Sequence, residues 1–206
     1  MEASGSTEAV DTTNYEKFQT GNPVVQRLIG GFYRKVEDIV RPLKPATVLD
    51  AGCGEGETLD RLAGVLPPFP VGIDLNQESV DFAAERLPDA TIRRADLLEL
   101  PFEDDSFDLV FCLEVLEHLP DPGAGLEQLA RVSRQDIVVS VPHEPWFRLG
   151  SLARGKYLKT WGNHPEHVNH WNPKSFRSFL STRTEVVDVQ TAMPWIIARC
   201  RPLPAG

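Results

Sequence analysis

Four acids and a glycine triplet are the residues of this chain best suited to hold a ligand. Asp50 ends a short apolar run, Val48-Leu49, and is followed by Gly52, Gly54 and Gly56 in the stretch VLDAGCGEGE, residues 48–57. Glycine admits backbone angles that other residues resist and lets a ligand approach the main chain. A strand that breaks into a glycine turn and then a helix is the arrangement of a nucleotide site. Asp74 closes the next apolar run, 20 positions beyond Gly54. In a parallel nucleotide-binding sheet an acid there accepts from the two ribose hydroxyls. Asp96 and Glu114 close two further runs. The five histidines are the candidates for proton transfer: His118 and His143 after strand ends, and His164, His167 and His170 close together. A histidine is poised near neutrality and can take a proton from an acceptor hydroxyl, although each can equally serve as a structural hydrogen-bonding residue.

The elements that must position these side chains follow from periodicity. Residues 22–41 read as a helix, with Asn22 as N-cap, Pro23 in the first position and apolar residues at helical spacing. Strands are expected at 48–49, 69–73, 91–95, 107–113 and 137–141, with helices at about 55–65, 77–87 and from Asp121-Pro122 onward. Five alternations of strand and helix are the mark of a parallel sheet wound on both faces. Such sheets bind ligands at the carboxyl ends of their strands, where Asp50, Asp74, Asp96 and Glu114 all fall. A dinucleotide fold would want glycine at position 57, where this chain has Glu57.

An acid followed by x-G-x-G-x-G resembles motif I of the class I S-adenosylmethionine-dependent methyltransferases, and the segment Glu114-Val-Leu-Glu-His-Leu119 resembles the signature that ends the fourth strand of their small-molecule branch, type 11. The resemblance covers about residues 40–201 and is strongest in 46–122. It implies an α/β fold: a Rossmann-like, seven-stranded, mostly parallel sheet with helices on both faces, the last strand antiparallel, and a small inserted cap after the fifth strand. Residues 184–191 and 195–201 read as the terminal hairpin of such a sheet. It also implies S-adenosyl-L-methionine as cofactor, bound by Asp50, Ala51, Gly52, Gly54, Asp74, Leu75, Asp96, Leu97 and Glu114. In this scheme Asp96 takes the adenine amine and Leu97 covers the ring. Where most relatives have K-P-G-G before the fifth strand, this chain has SRQD at 133–136, which is expected to form a shortened turn.

At 206 residues, with 41% hydrophobic and 25% charged content, the chain reads as a single methyltransferase domain over 22–206 with a flexible arm at 1–21. Tyr15 and Phe18 in that arm could lid the cofactor. Three cysteines without CxxC spacing point to reduced thiols and a cytoplasmic protein. No apolar run approaches the ~20 residues of a membrane span. A net charge of −9 argues against broad nucleic-acid binding. A monomer or a homodimer is expected.

The segment at about 143–171 breaks the alternation and is read as a substrate cap. From His143 to Arg177 six Lys/Arg face two acids, a local +4 that leaves −13 elsewhere. This charge suits an acidic or phosphorylated small molecule, and it would also suit peripheral contact with an anionic membrane surface. Trp146, His167, His170 and Trp171 are its candidate substrate residues, and His118 and His143 the candidate catalytic ones. The implied reaction is methyl transfer to a small molecule such as a glycan, lipid precursor or specialised metabolite. Two alternatives stand beside it. Glu114, Glu117 and His118 with the distant histidines also resemble metal-dependent small-RNA 2′-O-methyltransferases, although the acidic body disfavours RNA and no metal ligand is assigned. The fold could also be kept as a non-catalytic cofactor-binding module.

Overall fold

The computed structural model describes residues 22–143 and 169–204. The expected arm at 1–21, with Tyr15 and Phe18, and most of the expected cap, with Trp146, His164 and His167, lie outside the described residues. The chain begins with helix α1 (Pro23–Val40), capped by the Asn22 side chain, which accepts from Val24 N and Val25 N. Strand β1 (Val48–Ala51) leads through the glycine turn into α2 (Glu57–Leu62). Then come β2 (Val71–Asp74), α3 (Gln77–Arg86), β3 (Thr91–Arg94), β4 (Phe107–Leu113) and α4 (Pro122–Val132). Strand β5 (Ser133–Pro142), α5 (Pro173–Leu180), β6 (Thr184–Ala192) and β7 (Trp195–Pro202) complete it.

The seven strands form one sheet in the order β3-β2-β1-β4-β5-β7-β6. The first five are parallel, and β7 runs antiparallel to both β5 and β6. The order reverses between β1 and β4, which makes the rim between them the place where such a sheet opens for a ligand. Apolar side chains fill both faces. On one face Leu116, Leu126, Leu129, Phe176 and Leu180 pack against alternate residues of β4, β5 and β7. On the other, Phe32, Val36 and Val40 of α1 and Leu62 of α2 cover Leu109, Phe111, Val138 and Ile197. Full burial of each such side chain stabilises by about 1.5–3 kcal/mol.

Two boundaries depart from the sequence reading. Residues 133–136 are not a turn: they begin β5, with Ser133 opposite Phe107 and Asp136 opposite Leu109, across an irregularity at the start of β4. Polar residues fit there because Arg134 and Gln135 are exposed and both donate to Asp108. Helix α2 begins at Glu57 rather than near Glu55, because Gly54 and Gly56 hold positive φ angles of 50° and 79° that a right-handed helix excludes.

Candidate functional site

The carboxyl ends of β1 and β2 meet at the glycine turn. Both Gly52 N and Cys53 N donate to the Ile73 carbonyl at 2.8 Å, which ties the turn to β2. Gly52 has φ of 88°, and a Cβ there would collide with the Val115 side chain. Gly54 differs: its φ is also positive, but a Cβ would meet nothing within 4 Å. Open space therefore lies against the main chain at Gly54, while Ala51 just before it is fully buried.

Asp74 stands at the end of β2 and spans this turn. Its Oδ2 accepts from Gly54 N at 2.9 Å and its Oδ1 from Asn76 N at 2.9 Å. Asn76, in turn, caps α3. Each carboxylate oxygen keeps a further lone pair for another donor. Leu75 beside it is 59% exposed. Asp50 is 1% exposed, and its Oδ2 has no hydrogen-bond partner. Burial, with the Asp74 charge nearby, pushes the Asp50 carboxyl up to about 7. Asp96 caps a short turn of 3₁₀ helix (Leu97–Glu99) through a bond from Leu98 N, and Leu97 is buried.

Glu114 is set differently from the other acids. It is the first residue past β4, has φ of 60°, and its N–H donates to the Ser140 carbonyl at 3.1 Å. Its Oε1 accepts from Ser140 Oγ at 2.8 Å, and the Trp195 indole stands near enough to favour its charged form. It thus faces the β5–β7 side of the rim, away from the glycine turn. Burial pushes it up to about 8. Glu117 lies in the following 3₁₀ turn, is 1% exposed, and has an unpartnered Oε2. Burial and the Glu114 charge raise it well above the ordinary carboxylate range.

His118 is exposed, with Nε2 3.9 Å from Glu117 Oε1. The His143 main chain donates to Pro194 and bridges to Trp171, burial holds its imidazole below the usual value, and its Nδ1 is unpartnered. Trp171 is 8% exposed and packs its ring against Phe176 and Phe179, so its surface goes to the core. His170 is exposed. Asn169 fastens the start of this segment to the turn after β4, donating through its N–H to Glu117 O and through its Nδ2 to Leu119 O. Among the described residues no group of three His, Cys, Asp or Glu side chains could hold a metal ion. Sequence reasoning missed the Ser140 and Trp195 contacts to Glu114; the polar residue in V-S-V-P at the end of β5 was the available signal for the first, and nothing local signalled the second.

Residues 49–139 match the family model described as Methyltransferase domain. The 27-O-demethylrifamycin SV methyltransferase of Amycolatopsis mediterranei (strain S699) is 39% identical over 93 residues, 42% of this chain and 34% of that protein. The ubiquinone biosynthesis O-methyltransferase of Neisseria meningitidis serogroup C (strain 053442) is 36% identical over 129 residues, 56% of this chain and 52% of that protein. Across such curated relatives, the chain spans about a third to a half of their length. Magnesium protoporphyrin IX methyltransferase from Synechocystis PCC 6803, solved with bound SAH, shares the fold at a TM-score of 0.67 and 21% identity, over 92% of this chain and 95% of that one.

Proposed function

We propose that this chain, which carries a class I S-adenosylmethionine-dependent methyltransferase domain, moves a methyl group from that cofactor to a small-molecule acceptor. The observation that carries the reading is the rim between β1 and β2. There the Asp74–Gly54 clamp borders open space at Gly54, and the strand before it ends in a buried Asp50 whose Oδ2 has no partner. These residues fit the cofactor: a carboxylate without a partner suits an amino group, and Asp74 retains lone pairs for two adjacent hydroxyls. Exposed Leu75 and the Asp96-Leu97 pair suit the nucleoside. Ala51 and Gly52 bring the main chain close without intruding.

Bound S-adenosylmethionine supplies a methyl group on a sulfonium, whose leaving group is already good. The protein's work is then to orient the acceptor in line and exclude water. His118 and His143, which follow β4 and β5, are the candidates for proton handling. Exposed His170 is a candidate for the acceptor, the Trp171 ring being packed in the core, while Trp146 and His167 keep that role from the sequence alone. Three buried cysteines without disulfides support a reducing compartment such as the cytoplasm. Among the described residues no helix is long and apolar enough to cross a membrane. The RNA reading gains nothing from these relatives, whose names refer to rifamycin and ubiquinone.

Calorimetry with S-adenosylmethionine and S-adenosylhomocysteine tests the cofactor. Incubation of methyl-labelled S-adenosylmethionine with a small-molecule extract, with and without a chelator, tests the transfer. Heat with both ligands, and chelator-insensitive label in a small molecule, are expected. No heat with either ligand overturns the reading.

A further inference from the structure

We infer that Glu114 receives the acceptor's proton, and that the acceptor is accordingly a hydroxyl compound, a phenol or an alcohol. This rests on the methyl-transfer reading and assigns its second substrate. Strand order is the first ground. Of the four acids expected to hold the cofactor, Asp50, Asp74 and Asp96 lie in β1, in β2 and just past β3, all on one side of the reversal, and Glu114 alone lies on the other; we therefore move it from the cofactor to the acceptor. Glu114 is the first residue past β4, the next strand across, and its carboxylate turns to Ser140 of β5 and Trp195 of β7. It therefore stands between the cofactor half of the rim and the half left for the acceptor.

The second ground is how it is held. A glutamate at φ of 60° is a strained conformation that persists only where its surroundings over-determine it. Here the Glu114–Ser140 main-chain bond, the Ser140 hydroxyl and the neighbouring Trp195 indole do so. The Ser140 hydroxyl occupies one of about four acceptor positions on the carboxylate, so lone pairs remain for a substrate O–H.

The third ground is the company it keeps. Burial, and then the charges of Glu117, Asp50 and Glu114, raise the Cys112 thiol, so the three acids share one neighbourhood. Among the described residues the charges that act on these carboxyls are acidic, Asp74 on Asp50 and Glu114 on Glu117, and acidic surroundings favour a proton-bearing group over an anion. The raised affinity of Glu114 for protons, near neutrality, suits a general base. A hydroxyl needs one in the transition state, whereas a neutral amine can attack with its lone pair and lose its proton afterwards.

The step balances without a further reactant. The acceptor oxygen bonds to the methyl carbon as the carbon–sulfur bond breaks. The electron pair stays on sulfur, and the hydroxyl proton goes to the Glu114 carboxylate. The products are a methyl ether, a thioether and a Glu114 carboxylic acid, which returns its proton to solvent.

The test compares wild type with Glu114→Gln and Trp195→Phe, using S-adenosylhomocysteine for calorimetry and methyl-labelled S-adenosylmethionine with a small-molecule extract for transfer. Glu114→Gln is expected to keep S-adenosylhomocysteine affinity within about threefold and to lose transfer by about 100-fold or more. It should also lose a carboxyl infrared band that in wild type titrates near 8. Trp195→Phe removes a donor that favours the charged form. Its rate limb and that infrared titration should both move to higher pH. The labelled product should be a methyl ether. Transfer by Glu114→Gln within threefold of wild type, loss of its cofactor affinity by more than tenfold, or a labelled methylamine or thioether product overturns the inference and leaves the methyl-transfer reading standing. Wild type that binds both ligands and transfers nothing overturns the transferase reading together with this role. Wild type that binds neither removes the cofactor site itself.

Discussion

The Asp74 carboxylate reaches back 20 positions to take the Gly54 N–H at 2.9 Å, joining the end of β2 to the turn after β1. One side chain thus shapes the turn and faces the space beside it. Asp74→Ala removes both functions. Charge-assisted hydrogen bonds contribute about 1.5–3 kcal/mol each, so S-adenosylhomocysteine affinity should fall by about 100-fold or more in calorimetry. His143→Ala should spare that affinity. An Asp74→Ala protein that binds as tightly as wild type would contradict the assignment.

Gly52 and Gly54 separate folding from binding. Alanine at Gly52 would meet Val115 and would hold a positive φ, so it should destabilise by about 2–4 kcal/mol in urea unfolding. Alanine at Gly54 meets open space and carries only the backbone strain, about 1 kcal/mol. Its methyl group would, however, stand where a ligand approaches. The expected result is a milder loss of stability with a larger loss of cofactor affinity. Equal losses of both quantities in the two variants would contradict the open space at Gly54 being ligand space.

Asp50 links the site to pH. Its folded value of about 7 lies above the ordinary carboxylate value, so the folded chain holds a proton that the unfolded chain has already released. Stability from this group is therefore full at low pH and falls as pH rises from about 4 to about 7, by on the order of 4 kcal/mol at most. Asp50→Asn should raise the denaturation midpoint of the ligand-free protein at about pH 8 and change it little at about pH 4. A cationic amino group beside Asp50 would favour the carboxylate. Cofactor binding near neutrality should then release a proton, visible as a buffer-dependent heat, and Asp50→Asn should abolish that dependence. A midpoint at about pH 8 unaffected by Asp50→Asn would contradict the burial argument.

Much of this arrangement was legible because it is local. Asn22, Asn76, Asp121 and Asn172 cap helices, three of them beside a proline in the first turn, and each is recognisable within three residues. The glycine turn and the acids at 50, 74 and 96 are likewise announced by the apolar runs they end. What escaped is made by distance. SRQD has the composition of a turn, and it extends only because β4 lies alongside. Nothing near Glu114 indicates a positive φ. Its partner Trp195 arrives from a hairpin 81 positions later, and the indole meets the carboxylate because β7 inserts next to β5.

The opposite end of the sheet supplies the contrast that a functional test needs. Asp108 is 7% exposed and gathers donors from two segments: Ala46 N and Thr47 N before β1, and Arg134 and Gln135 at the start of β5. These donors hold its carboxyl below the ordinary range. A depressed acid contributes stability that is present above the unfolded value and lost as pH falls through the folded one, the reverse of Asp50. Asp108→Ala leaves the Arg134 guanidinium and two main-chain N–H groups without their acceptor. It should destabilise by about 3 kcal/mol near neutrality, and by less at about pH 3. Because Asp108 sits at the amino end of β4 while Glu114 lies just past its carboxyl end, the folded variant should bind S-adenosylhomocysteine as wild type does. A change of more than threefold in that affinity, measured well below the unfolding midpoint, would mean that strand β4 transmits its base to its rim.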